Sequence, residues 1–301
     1  MQKATIGRTN FLLWILVGLY AVFVPLIFKE PLPPSVEMIR YVFLPLGFAL
    51  WHGSVRYGWK AISIFFAISL VVSNIFENLS IHTGFPFGHY HYSDTIGPKL
   101  FAVPFGVGLM YFAMGYVAWT LGNVLLGIAH KRSLNVSEMF TLPLVASFIM
   151  VAWDVCFDPS NSTVAKEWIW EKGGSYFGVP VSNFLGWFLT VYVFYQLFAL
   201  YLYRRNKTHS DATSSKQRFS YWLQAIVWYA LVAASFPVTY LSAASKLVTD
   251  ASGHVWHAGD IYGTATIVSL YTMMFISVLA VLRLKLQYAS TASHAEQADL
   301  A

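Results

Sequence analysis

Glu77, Asp154 and Asp158 are the residues of this chain whose type and setting suit proton chemistry. Each lies in or at the end of an apolar run, where a carboxyl is costly unless it has a partner or a task. An apolar site lets such a group hold a proton and deliver it. Asp154 and Asp158 stand at i and i+4, so one helical face carries both, and like groups that close tend to share a proton. Plainer roles compete with these. Glu77 can be hydrogen-bonded by Asn74 and Asn78, three residues before it and one after, and Asp158 can be a turn residue before Pro159, which would end the helix. Two carboxylates with nearby histidines also suit a metal of hard or borderline character. No compact ligand motif such as His-Glu-x-x-His occurs, and neither a metal nor a cofactor is expected.

The residues after Glu77 read as an irregular loop. His82, His89 and His91 flank Gly84-Phe85-Pro86-Phe87-Gly88, and His89-Tyr90-His91-Tyr92 alternates, so an extended backbone puts the two tyrosines on one face and the two histidines on the other. Irregular backbone at membrane depth is tolerated only where protein covers it or it lines a cavity. Residues 80–100 are therefore expected to form a re-entrant or lid-like loop over a pocket. Most of the aromatic residues suit packing and interfacial belts. Trp153, Trp168, Trp170, Tyr176, Phe177 and Trp187 differ in clustering near the acids, where their faces can stabilise a cation. Asn183 and Trp187 are four apart and can face that pocket together.

The elements that must position these groups are membrane helices. The 301 residues are 57% hydrophobic and only 11% charged, against about 25% charged in soluble domains. The net charge of +5 comes from short basic clusters between apolar runs, a pattern of membrane topology and not of nucleic-acid binding. Cys156 is the single cysteine, which excludes an intrachain disulfide framework. Lys3 and Arg8 precede an apolar run from Phe11 to Phe28 that reads as a retained first span.

Runs of about 20 apolar residues give eight candidate spans, near 11–28, 38–55, 61–79, 101–127, 138–156, 181–203, 221–243 and 263–283. The second is the weakest, since Arg40, Pro45, Gly47 and His52 interrupt it. With the N-terminus inside, thirteen Lys and Arg fall on the inner side and six on the outer, as cytoplasmic termini require. The expected fold is an all-α integral membrane protein of about eight transmembrane helices. Residues 1–285 make one transmembrane domain and 286–301 a disordered cytoplasmic tail. The acids, the loop and the aromatic cluster then all fall on the outer side.

The motifs combine into a known pattern. Thr83-Gly84-Phe85-Pro86-Phe87-Gly88-x-Tyr90-x-Tyr92, Val103-Pro104, Trp153-Asp154 with Asp158-Pro159, Trp168-x-Trp170, and Gly174-x-Tyr176-Phe177-Gly178-Val179-Pro180-x-x-Asn183-Phe184-x-Gly186-Trp187 together resemble the membrane carotenoid-biosynthesis family. That family includes carotenoid C-1′,2′ hydratases of the bisanhydrobacterioruberin hydratase and γ-carotene 1′-hydroxylase type. The resemblance covers roughly residues 40–285 and is strongest over 74–190. It implies a prokaryotic cell-membrane enzyme acting on a polyene with an acyclic ψ end group, adding water to the terminal double bond without a cofactor. Membrane lipid and other enzymes of the carotenoid pathway are its implied partners.

The residues suit this chemistry. Glu77 or Asp154 would donate the proton, while Asp158, Asn74, Asn78 and Asn183 orient or activate water. His82, Phe85, Phe87, His89, Tyr90, His91, Tyr92, Trp153, Trp168, Trp170, Tyr176, Phe177 and Trp187 would line the end-group pocket. Two other readings stay open. A membrane cyclase of the lycopene type forms the same cation and quenches it internally, and a polyene- or lipid-binding permease has no catalytic use for the acids.

Overall fold

The computed structural model describes residues 2–27, 32–131, 133–208, 217–244 and 246–299. The order is α1 (Gln2–Leu26), α2 (Pro34–Met38), α3 (Leu44–Thr83), β1 (Tyr90–Tyr92), β2 (Lys99–Leu100), β3 (Val103–Pro104), α4 (Phe105–Leu125), α5 (Val136–Pro159), β4 (Trp168–Trp170), α6 (Val181–Thr208), α7 (Phe219–Ser242), β5 (Leu247–Thr249), β6 (Val255–His257), α8 (Ala258–Val268) and α9 (Phe275–Asp299). Seven helical runs among the described residues are long and apolar enough to cross a membrane.

One of those runs does the work of two. Ser35–Thr83 spans 49 residues, which a straight helix would stretch to about 74 Å, more than twice the roughly 30 Å of a bilayer's hydrocarbon core. Gly58 breaks it with φ 78° and ψ 158°, a conformation open to glycine because it has no Cβ. The run folds back there: a Cβ on Gly53 would lie 2.7 Å from Ile62 Cγ1, although nine residues of straight helix would hold the two about 13 Å apart. Glu37, before the bend, and Glu77, after it, line one cavity. The second and third expected spans are therefore the two arms of this hairpin, so that among the described residues the seven runs supply eight segments of spanning length.

Two polar side chains inside the first arm find partners in the bundle. Arg40 is buried with its Nη1 3.8 Å from Glu37 Oε2. His52, fully buried, lies with Nε2 2.8 Å from the Tyr221 carbonyl and Nδ1 2.5 Å from the Tyr116 hydroxyl. An N–H on Nε2 donating to the carbonyl leaves Nδ1 to accept from Tyr116.

α4 is the central helix, buried along most of its length between α3, α5 and α7. Gly108 lets α3 approach closely, since a Cβ there would meet Leu70 Cδ2 at 2.7 Å. A capping box starts α5: Asn135 Oδ1 accepts from Glu138 N at 2.8 Å, and Glu138 Oε2 accepts from Asn135 N at 3.0 Å, satisfying two donors at the helix start.

One expectation changes. Pro159 does not end the helical path, because a π-helical turn, Ser160–Val164, carries it one turn further and closes with Ala165 N donating to Ser160 O at 3.0 Å. The helix α9 runs to Asp299. The basic segment between α6 and α7 lies partly outside the described residues.

Candidate active site

The site is assembled under a two-stranded ribbon. β1 pairs antiparallel with β4 so that Tyr90 lies opposite Trp170 and Tyr92 opposite Trp168. Side chains alternate along each strand, so His91 points out to solvent while both tyrosines are buried. Ser93 N donating to Glu167 O at 2.9 Å and Glu171 N donating to His89 O at 3.0 Å extend the pairing at both ends.

The two tyrosines bind one carboxyl and the two tryptophans bind the other. Glu77 Oε2 accepts from Tyr90 Oη and, at 3.0 Å, from Tyr92 Oη. Its Oε1 accepts from Tyr111 Oη of α4 at 2.7 Å. Burial first, and then the Glu77 charge, push the Tyr90 and Tyr92 phenols well above their usual range, so both stay protonated as donors. Asp158 Oδ1 accepts the indole N–H of Trp168 at 3.1 Å and of Trp170 at 3.3 Å. Its Oδ2 accepts from Asn183 Nδ2 at 2.6 Å, and the same nitrogen donates to Asp154 Oδ2 at 3.3 Å. Glu77, Asp154, Asp158 and Asn183 are each at most 3% exposed.

Glu77 and Asp158 line a common cavity of about 530 Å³, together with Phe87, Tyr90, Tyr92, Trp153, Trp168, Trp170, Asn183 and Trp187. Trp187 stacks on Tyr111 with ring centroids 4.2 Å apart, and Trp153 meets Trp187 edge-on at 6.0 Å. The Asp158 end lies where α5 widens into the π turn, an irregularity often found at functional sites. The arrangement can present two carboxyls and several aromatic faces to an apolar ligand.

Other expected site residues are placed elsewhere. Asp154 is not on the cavity wall and reaches it through Asn183. Asn74 and Asn78 do not bond Glu77: Asn78 Nδ2 donates to Asn74 O at 2.8 Å, and Asn78 Oδ1 accepts from Ala102 N at 3.0 Å, which pins the β2–β3 turn. His82, Phe85 and His91 are exposed and His89 packs against Gly84. Tyr176 and Phe177 do not line the cavity; Tyr176 packs on Phe184 and Phe177 on Trp256. Tyr111, Glu37, Asn161 and Glu167 line the cavity without having been singled out in the sequence.

The loop above the cavity is fastened as a cap. Ser80 Oγ donates to Gly88 O at 2.8 Å and accepts from Phe87 N at 3.1 Å, while Ser182 Oγ donates to Phe87 O at 2.8 Å. α6 passes beneath it at Gly186, where a Cβ would lie 2.6 Å from Phe87 Cδ1 and 2.9 Å from the Pro86 backbone. Gly186→Ala is expected to destabilise the protein by about 1–3 kcal/mol through overpacking, seen as a lower unfolding midpoint in detergent.

Comparison with known proteins gives this site a setting. The profile of a family described as carotenoid biosynthesis protein matches residues 37–251, most of the chain and all of the site. A bisanhydrobacterioruberin hydratase of Haloarcula japonica is 33% identical over 115 residues, 38% of this chain and 36% of that protein. The chain thus matches only about a third of that relative's length. No solved structure matches.

Proposed function

This chain belongs to the carotenoid biosynthesis protein family, and from that premise we propose that it hydrates the terminal double bond of an acyclic polyene end group in the membrane. The observation that carries the reading is the cavity itself, where two carboxyls held by separate sets of donors share an apolar, aromatic-walled space. The partial match to a named hydratase supports it.

In this mechanism the Asp154–Asp158 pair supplies the proton, which bonds to the less substituted alkene carbon. The π electrons form that bond and leave a tertiary cation on the other carbon. The faces of Trp153, Trp187 and Trp168 stabilise the cation. A water lone pair forms the C–O bond, and Glu77 takes the surplus proton, completing addition of one water with no change in redox state. Three hydroxyl donors on Glu77 fit it as the anionic partner and base, and Asn183 Nδ2 donates to both Asp154 and Asp158 and so holds the two carboxyls together. Bound substrate extends away from the ribbon into the apolar part of the cavity.

Incubating the purified protein with a ψ-ended polyene tests the reading. The expected product is a tertiary alcohol heavier than the substrate by one water. A product of unchanged mass and altered double bonds would identify a cyclase instead, and an unchanged polyene retained by the protein would identify a binding protein.

A further inference from the structure

A second cavity of about 360 Å³ lies behind the first and shares part of its wall. Glu37, Asn161 and Glu167 line both spaces and form the polar part of the neck between them, and Met110, Trp153 and Phe157 form the apolar part. The chambers differ in chemistry. The rear one carries Arg40 beside Glu37, with Ser160, Ser235 and Thr239. A polyene shaft lying there would desolvate the Glu37–Arg40 pair and cover the Ser160 hydroxyl without giving it a partner, an unfavourable exchange, while Ser235 and Thr239 donate to carbonyls of their own helix. Water suits such a lining, and at about 30 Å³ per molecule the space holds on the order of ten.

We infer that the rear chamber stores the reacting water and that Glu37, Asn161 and Glu167 are positioning residues that pass it to the cation. This rests on the hydration reading above. The neck is rigid where it needs to be. Glu167 N donates to Asn161 O at 3.0 Å, and Glu167 O accepts from Ser93 N at 2.9 Å, so the π turn on one side and the end of the ribbon on the other fix the Glu167 backbone. Asn161 Nδ2 donates to Phe157 O at 2.7 Å, which sets the plane of its amide. Burial, and next the Glu37 charge, raise the Glu167 carboxyl above its usual range. Delivery through a polar neck explains how an apolar, aromatic-walled pocket admits a water at the moment a cation forms.

The inference predicts a change in partition. A cation that meets no water returns a proton to the enzyme and reverts to alkene, and in D2O the recovered alkene then carries deuterium. The wild-type protein in liposomes is expected to form alcohol with little deuterium in recovered substrate. In Asn161→Leu and Glu167→Leu the ratio of deuterium in recovered alkene to alcohol formed is expected to rise about tenfold, the effect of losing one hydrogen bond to the travelling water. Glu167→Gln, which keeps a polar group in place, is expected to restore most of the wild-type ratio. A parallel fall in alcohol and deuterium exchange, or an unchanged ratio, would overturn the water-delivery role while leaving hydration standing. A wild-type protein that makes no alcohol at all would remove the hydration reading and this inference with it.

Discussion

Glu77→Gln is expected to lower turnover by about three orders of magnitude, within the range for removing an acid–base group, while the protein still folds. The isosteric amide keeps the side chain's shape, and its oxygen can accept from two of the three tyrosine hydroxyls. The third hydroxyl can turn and accept from the new NH2, because a phenol both donates and accepts. What the variant loses is charge: no anion faces the cation, and no carboxylate receives the proton of the attacking water. The measurement is alcohol formed per protein, paired with the unfolding midpoint in detergent. A variant retaining more than a small fraction of turnover would take Glu77 out of the chemistry. Tyr111→Phe, removing one of three donors to Glu77, serves as the graded control in the same assay.

Asp158→Asn is expected to have the second-largest effect, a loss of about 10²–10⁴ in turnover together with a measurable stability loss. Indole N–H groups only donate, so the new amide must keep its oxygen toward Trp168 and Trp170 and turn its nitrogen toward Asn183. Asn183 then has to present its own oxygen, which breaks its bond to Asp154. Leaving such a buried group unmatched costs about 1–3 kcal/mol. Asp154→Asn should reduce turnover less, because Asp154 acts through Asn183 and does not line the cavity. If Asp154→Asn instead proves the more damaging of the two, the proton comes from Asp154 and Asp158 only orients it.

The sequence makes some of this site legible and conceals the rest for physical reasons. The alternation of Tyr90 and Tyr92 is a strand signal carried by local spacing, and pairing with Trp168–Trp170 turns it into a ribbon with four inward aromatics. Asp154 and Asp158 at i and i+4 do share a helical face and a common partner. Spacing misleads for Glu77, Asn74 and Asn78. At 3.6 residues per turn Glu77 and Asn78 are about 100° apart around the helix, enough for one to face the cavity and the other the β2–β3 turn. Tyr111 has no local signal, since it is one of eighteen tyrosines and sits in a helix buried along most of its length. Glu37 and Glu167 meet only because a hairpin and a ribbon bring distant segments to one wall, which local periodicity does not encode.

The bend at Gly58 decides at which end of the bundle the acids are assembled. Each crossing of the bilayer reverses the face on which the next loop emerges, so turning one long helix into two arms changes the parity of every loop after it. Arg56 and Lys60 flank the bend, and Arg56 donates to the backbone carbonyls of Ala129 and Lys131 while Arg205 donates to that of Tyr57. The bend is thereby gathered with the other basic loops at one end of the bundle, the arrangement that charge asymmetry across a membrane enforces during insertion. A single glycine with positive φ thus returns the run so that Glu77 meets Glu37 on one cavity wall, while Arg56 and Arg205 gather at the bend.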